Sequence, residues 1–172
     1  MKKMRLFAIG LLALASAAAA AAAPPTPSHC VADEEVLFTC RIGDKVLSFC
    51  APKTNDDRLA PAWIQYRFGR IGATELVFPP AKTSPVRHFR YTTDKGGRWV
   101  VALVQFSIDD FSYVLSAYGN SNIPESEASL LVVRPDGTRR VLQCADPGLY
   151  AAAGLWRFEQ LHLPAVQKEF TR

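Results

Sequence analysis

Much that would announce an enzyme is missing from this sequence. Only three histidines occur, His29, His88 and His162, and they are scattered along the chain. There is no G-x-S-x-G turn to present a serine nucleophile and no glycine-rich phosphate cradle; the Gly-Arg-Ile-Gly stretch at 69–72 is too short and joins two strands. No D-x-D-x-D-G loop marks a calcium site, although Asn55–Asp57 and Ile108–Asp110 carry paired acids. No C-x-x-C exists for dithiol exchange or for zinc. Asp56–Asp57, Asp109–Asp110 and Glu125/Glu127 are adjacent or nearly so in turn-rich stretches, unlike two carboxylates facing across a cleft. These gaps exclude the commonest recognisable sites, and no catalytic residue, cofactor or metal ligand is expected. Helical periodicity is equally scarce.

Basic character is also smaller than it looks. The chain has 20 Lys and Arg against 16 Asp and Glu. Lys2, Lys3 and Arg5 precede an apolar run from Leu6 to Leu14 and an alanine-rich tract ending at Ala23, before Pro24 and Pro25. This is the layout of a secretory signal peptide over residues 1–23. Gly10, Ser16 and the weak hydrophobicity of alanine argue against a retained anchor. Once the signal is cleaved, 17 basic residues face 16 acidic ones, a net charge of +1. Global charge then gives no case for nucleic acid. Residues 24–29 read as a short extended linker, and residues 30–172 as one domain with a real core and no transmembrane span.

Four cysteines are present, three of them spaced C-x9-C-x9-C from Cys30 to Cys50 and the last at Cys144. Export implies an oxidising compartment, so two disulfides are expected. Val36–Cys40 and Lys45–Cys50 flank Ile-Gly-Asp, a hairpin turn that places Cys40 opposite Val46 or Leu47. Cys50 then lies about 10 Å further along, beyond the reach of about 7 Å that a disulfide allows. Cys30–Cys50 with Cys40–Cys144 is the favoured pairing; Cys30–Cys40 with Cys50–Cys144 stays open.

Alternating apolar and polar residues dominate the rest. Residues 63–68 and 74–78 form a hairpin in which Phe68 is expected opposite Thr74 and Arg67 opposite Glu75, a cross-strand ion pair. Residues 86–91 read as a weak strand, 92–97 as a turn, and 98–106 as a central strand covered on both faces. Strands at 111–118, 128–134 and 138–144 follow, the last two joined by Pro-Asp-Gly. One short helix is expected between Gly148 and Leu161, with Leu155, Phe158 and Leu161 on one face. The fold class is mainly β: a single antiparallel β-barrel or β-sandwich of about nine strands, with at most one short C-terminal helix.

The C-x9-C-x9-C spacing, the Lys45–Cys50 segment, Tyr-Arg-Phe-Gly at 66–69 and Glu-Leu-Val-Phe-Pro at 75–79 resemble a group of small exported bacterial proteins. The resemblance covers residues 30–79 and implies compartment and fold rather than chemistry. In size and plan alone the chain is similar to periplasmic lysozyme inhibitors, which are small exported β-barrels; no residue of their inhibitory loop carries over. Two surfaces are candidate binding sites. Arg67 and Glu75 either pair or line a concave face. From 82 to 98, Lys82, Arg87, Arg90, Lys95 and Arg98 face a single acid, Asp94, with Phe89, Tyr91 and Trp99 interleaved. The patch either grips an anionic partner or is an edge strand whose charges prevent sheet association. The expected protein is a binding module of the envelope, periplasmic or secreted from a Gram-negative bacterium. It would inhibit a cell-wall hydrolase or neutralise a toxin through a protein partner; the alternative is a structural protein touching peptidoglycan or lipopolysaccharide. The third reading is a hydrolase with an unrecognised site, for which Asp109 or Asp110 would have to lie near a histidine in a deep pocket.

Overall fold

The computed structural model describes residues 27–56, 58–120, 126–147 and 153–170. The expected signal peptide, Asp57, Glu125 and the start of the expected C-terminal helix lie outside the described residues. Two antiparallel sheets pack face to face as a sandwich and do not close into a barrel. The first holds β1 (Glu34–Ile42), β2 (Lys45–Pro52), β3 (Gln65–Arg70) and β4 (Ala73–Phe78) in sequential order. The second holds β5 (Arg90–Gly96), β6 (Trp99–Ile108), β7 (Phe111–Asn120), β8 (Ser126–Val133) and β9 (Arg139–Gln143), also sequential. Each strand pairs antiparallel with its neighbour in sequence; tight turns join β1 to β2, β3 to β4, β5 to β6 and β6 to β7, and a longer connection over 53–64 joins β2 to β3.

The period-2 pattern decides which side chains meet. Leu47 and Phe49 of β2, Tyr66 of β3, Val104 and Phe106 of β6, Leu115 of β7 and Leu130 of β8 all point between the sheets and are buried. The Phe49 ring lies within 6.0 Å of Tyr66, Phe89, Phe106 and Phe158. Each fully buried side chain of this size stabilises by about 1.5–3 kcal/mol relative to exposure. Phe158 comes from the expected C-terminal helix, present as a 3-10 helix over Ala153–Leu161. Three residues per turn put Leu155 and Phe158 in the core and leave Leu161 partly buried. Gly154 permits this approach, because a Cβ there would sit 2.0 Å from the Leu37 carbonyl oxygen.

Cys40, on the inner face of β1, is bonded to Cys144 just after β9, so this bridge clamps one sheet to the other. Cys50, on the outer face of β2, is bonded to Cys30. Two disulfides are the mark of an oxidising, extracytoplasmic setting. Among the described residues no helix is long and apolar enough to cross a membrane.

Three local expectations are corrected. The β3–β4 hairpin turns tightly, with Arg70 opposite Ala73, and then bulges. Phe68 pairs with Leu76 rather than Thr74, and Arg67 sits opposite Val77 rather than Glu75. Gly69 makes the bulge: its φ is +149°, and a Cβ there would lie 2.6 Å from the Ala73 oxygen. Next, the segment 86–91 starts as a 3-10 turn at Pro85–Arg87, and the strand begins only at Arg90 and runs through the Thr-Thr-Asp-Lys expected as a turn. Finally, Pro27, Ser28 and His29 are no free linker. Thr39 Oγ1 donates to the Pro27 oxygen at 2.8 Å, and the His29 amide donates to Ser48 Oγ at 3.0 Å.

Candidate functional site

Arg67 projects from the outer face of β3, and what it meets there is not Glu75. Its two terminal nitrogens donate to Glu34, to Oε2 at 2.6 Å and to Oε1 at 2.8 Å. They also donate to Gln65 Oε1 at 2.8 Å and to the His29 carbonyl at 2.9 Å. Glu34 further accepts the Val31 amide at 3.0 Å and pairs with Lys82 at 3.0 Å. The Glu34 side chain is 1% exposed and that of Arg67 11%. Burial alone would raise the Glu34 carboxyl, but its bonds from Arg67, Val31 and Lys82 outweigh it and bring it down from 4.5 to about 2. The expected Arg67–Glu75 pair is therefore corrected. Glu75, displaced by the bulge, pairs with Lys45 at the surface. Arg67 is the centre of a network of four hydrogen bonds under the N-terminal arm, with both terminal nitrogens engaged.

His29 belongs to the same cover. Its Nε2 lies 3.2 Å from the Val46 oxygen and 3.1 Å from the Gly69 oxygen, while Nδ1 lies 3.2 Å from Thr74 Oγ1. Nε2, facing two carbonyl oxygens, donates, and Nδ1 is occupied by the Thr74 hydroxyl. Among the described residues the grouping closest to a metal site is Cys30, Glu34 and Cys50, and two of its three atoms are the sulfurs of a disulfide.

The basic segment is broken up by the fold. Lys82 is taken by Glu34 and lies over the Trp63 ring, 4.3 Å from its centroid. Lys95 pairs with Glu159 at 2.6 Å. Arg98 sits in the β5–β6 turn, some 20 Å along β5 from Arg90 by strand rise. The five cations expected as one patch thus lie on different parts of the surface. What the structure does gather is Arg87 and Arg90, together with His88, on one cavity of about 300 Å³.

That cavity arises from a mismatch in strand length. β5 begins at Arg90, opposite Gln105, whereas β6 continues to Ile108. The edge of β6 beyond Gln105 is left without β5, and a notch forms between the Pro85–Arg87 turn and the C-terminal stretch. Phe78, Phe89 and Phe106 form its apolar floor, and Ser107, Gln105 and Gln167 add polar groups. Gln105 is 3% exposed; its Oε1 accepts the Gln167 amide at 3.0 Å, and its Nε2 donates to Gln167 Oε1. Arg90 Nη1 donates to the Ala165 oxygen at 3.2 Å, and His88 Nε2 lies 3.2 Å from Thr83 Oγ1. The amide pair ties the C-terminal stretch to β6 and fixes the far wall. A rigid, concave, cationic notch beside an open strand edge can receive an acidic side chain and pair with a short extended segment.

Sequence reasoning found Arg87 and Arg90 from charge bias. It missed Glu34, Gln65, Gln105 and Gln167. One signal was available: Gln105 is the lone polar residue inside the apolar run Val100–Phe106, and a buried amide in such a run needs a partner. The chain matches no known protein family, no curated protein and no solved structure.

Proposed function

We propose that this protein is an exported, non-catalytic binding module of the Gram-negative envelope, periplasmic or secreted. It takes an acidic loop of a protein partner into the notch of Arg87, His88 and Arg90, as an inhibitor or immunity-type protein against a cell-wall hydrolase or toxin would. The single observation that carries the proposal is the notch itself: two arginines beside a strand edge left open where β5 stops short. Two disulfides and the leader-like residues 1–23 support the compartment. A protein partner is favoured over an envelope polymer by the dispersal of the other cations. Tracking a polyanion needs a continuous basic stripe, and Lys82 and Lys95 are already paired.

The oxidised protein, immobilised and exposed to envelope extract, should retain a stoichiometric protein partner. Arg87→Glu with Arg90→Glu should abolish that retention while leaving near-ultraviolet circular dichroism unchanged. Retention by the double variant would overturn the assignment of the notch. Salt-sensitive sedimentation with peptidoglycan or lipopolysaccharide, and no protein retained, would replace the protein partner by the polymer.

A further inference from the structure

A second cavity, of about 220 Å³, lies between the sheets on the other side of an aromatic wall. Phe106 faces the notch and Tyr113 the cavity, their rings stacked 5.1 Å apart with planes 6° from parallel. Phe68 and Leu76, paired across β3 and β4, form one apolar side. Leu130 and Leu142, paired across β8 and β9, form the other.

Two features set this space apart from ordinary core. Tyr66 is 1% exposed and lines the cavity, yet its hydroxyl makes no hydrogen bond among the described residues. Tyr113, 6.2 Å away between ring centroids, is likewise without one. Burial raises both phenols, so both stay protonated and can donate into the cavity. The second feature is at the rim. Strand alternation puts Arg134 in line with the inward Leu130 and Val132, and Arg140 in line with the inward Leu142. Inner-face positions of a sandwich are ordinarily apolar. Here the inner rows of β8 and β9 end in two arginines, exposed at the mouth, and neither makes an ion pair among the described residues. Asp136, two residues from Arg134, accepts the Thr138 amide and also lies within reach of the Arg134 charge, without forming an ion pair with it. Asp109 is the acid whose charge reaches Tyr113; of the groups that line the cavity itself, the two guanidinium groups are the charged ones.

We propose that this cavity binds a small amphipathic carboxylate, its apolar body of roughly eight to ten carbons between the sheets and its carboxylate between Arg134 and Arg140. The volume sets the size: it exceeds the roughly 150 Å³ that holds benzene and falls short of the roughly 300 Å³ of a drug-sized pocket. Charge complementarity at the mouth sets the sign. The site is separate from the notch, so the two stand or fall independently.

The test is titration calorimetry of the oxidised protein with decanoate, decan-1-ol and butanoate. One decanoate should bind per chain, about tenfold more tightly than decan-1-ol, because only the acid gains charge-assisted bonds. Butanoate should bind too weakly to measure. Arg134→Gln with Arg140→Gln should remove the preference for the acid and keep decan-1-ol affinity unchanged. Leu142→Trp, on the partly buried edge strand, should fill the space and abolish both; Leu76→Trp fills it from the opposite wall should the first variant not fold. Absence of decanoate binding to the folded wild type, equal affinity for acid and alcohol, or indifference to the arginine pair would each overturn the proposal.

Discussion

Each sheet has an outer face to cover, and the two are covered by opposite ends of the chain in different ways. Residues 27–33 lie on the first sheet, held by the Cys30–Cys50 bond and by the buried Glu34–Arg67 pair. The C-terminal stretch from Pro164 to Phe170 crosses the second sheet mainly on neutral hydrogen bonds, with one more from the Arg90 guanidinium to the Ala165 oxygen. The Tyr91 amide donates to the Pro164 oxygen at 2.9 Å, the Val166 amide to Thr92 Oγ1 at 3.0 Å, and Gln105 and Gln167 clasp each other. At its end the Phe170 ring lies 5.7 Å from the Arg139 guanidinium. A buried charge tolerates no missing partner, whereas a set of neutral bonds loses strength one bond at a time. The first sheet is therefore a fixed platform. The second carries the notch beside its less costly cover, which is where a partner can be admitted.

The largest effect should come from breaking the charged cover. Glu34→Ala leaves Arg67, with 11% of its side chain exposed, without its carboxylate. The expected loss is about 3–5 kcal/mol at neutral pH, read as a lower urea midpoint. The wild type should also be acid-sensitive in a defined window. A carboxyl held below its unfolded value stabilises the fold above pH 4.5, and that contribution fades as pH falls toward about 2. The full drop is about 3 kcal/mol. Glu34→Ala should lack that slope, so the gap between variant and wild type narrows in acid. A constant gap from pH 7 to pH 2 would show that the pair does not govern the first sheet.

What could be read from the sequence divides along the same line. Alternation and turn residues located the strands of both sheets except β5, because one face of each is apolar and period 2 records it. Hairpin geometry excluded Cys40–Cys50 and left two pairings open; the favoured one, Cys30–Cys50 with Cys40–Cys144, is the one the structure forms. The covers were not legible. Arg67 finds Glu34 from 33 positions away, and no local pattern links them. Gly69 could be read as turn chemistry, but whether it made a bulge depended on a backbone contact with Ala73, and the bulge displaced Glu75. The polar Thr92–Lys95 stretch looked like a turn because β5 is an edge strand with a wet outer face. Arg87 and Arg90 were legible as charge; their notch was not, since it depends on β5 ending before β6.

The next effect is covalent. Cys30→Ala with Cys50→Ala frees the arm, and closing a loop of 20 residues is worth about 3 kcal/mol in the chain-entropy description. Because Glu34 and Arg67 remain, hydrogen exchange should rise at the amides of residues 29 and 30, held by Ser48 and Ser28, more than at Val31, whose amide is held by Glu34. Equal deprotection of all three would mean that the disulfide, not the ion pair, holds the arm.

The smallest effect should fall on the neutral cover. Gln105→Leu removes both bonds to Gln167 and leaves the Gln167 amide to find water at the notch edge. The cost should be about 1–2 kcal/mol, without pH dependence between 4 and 8, since no charge is involved. Amide exchange should quicken at Val166 and Gln167 and stay unchanged at Val31, the mirror image of Glu34→Ala. Because Gln105 and Gln167 both line the notch, the same substitution should weaken retention of the envelope partner even though Arg87 and Arg90 are intact. Undiminished retention with faster Gln167 exchange would place the partner on the arginines alone; slower exchange, or a loss as large as that of Glu34→Ala, would mean the two covers are built alike and the contrast between the sheets fails.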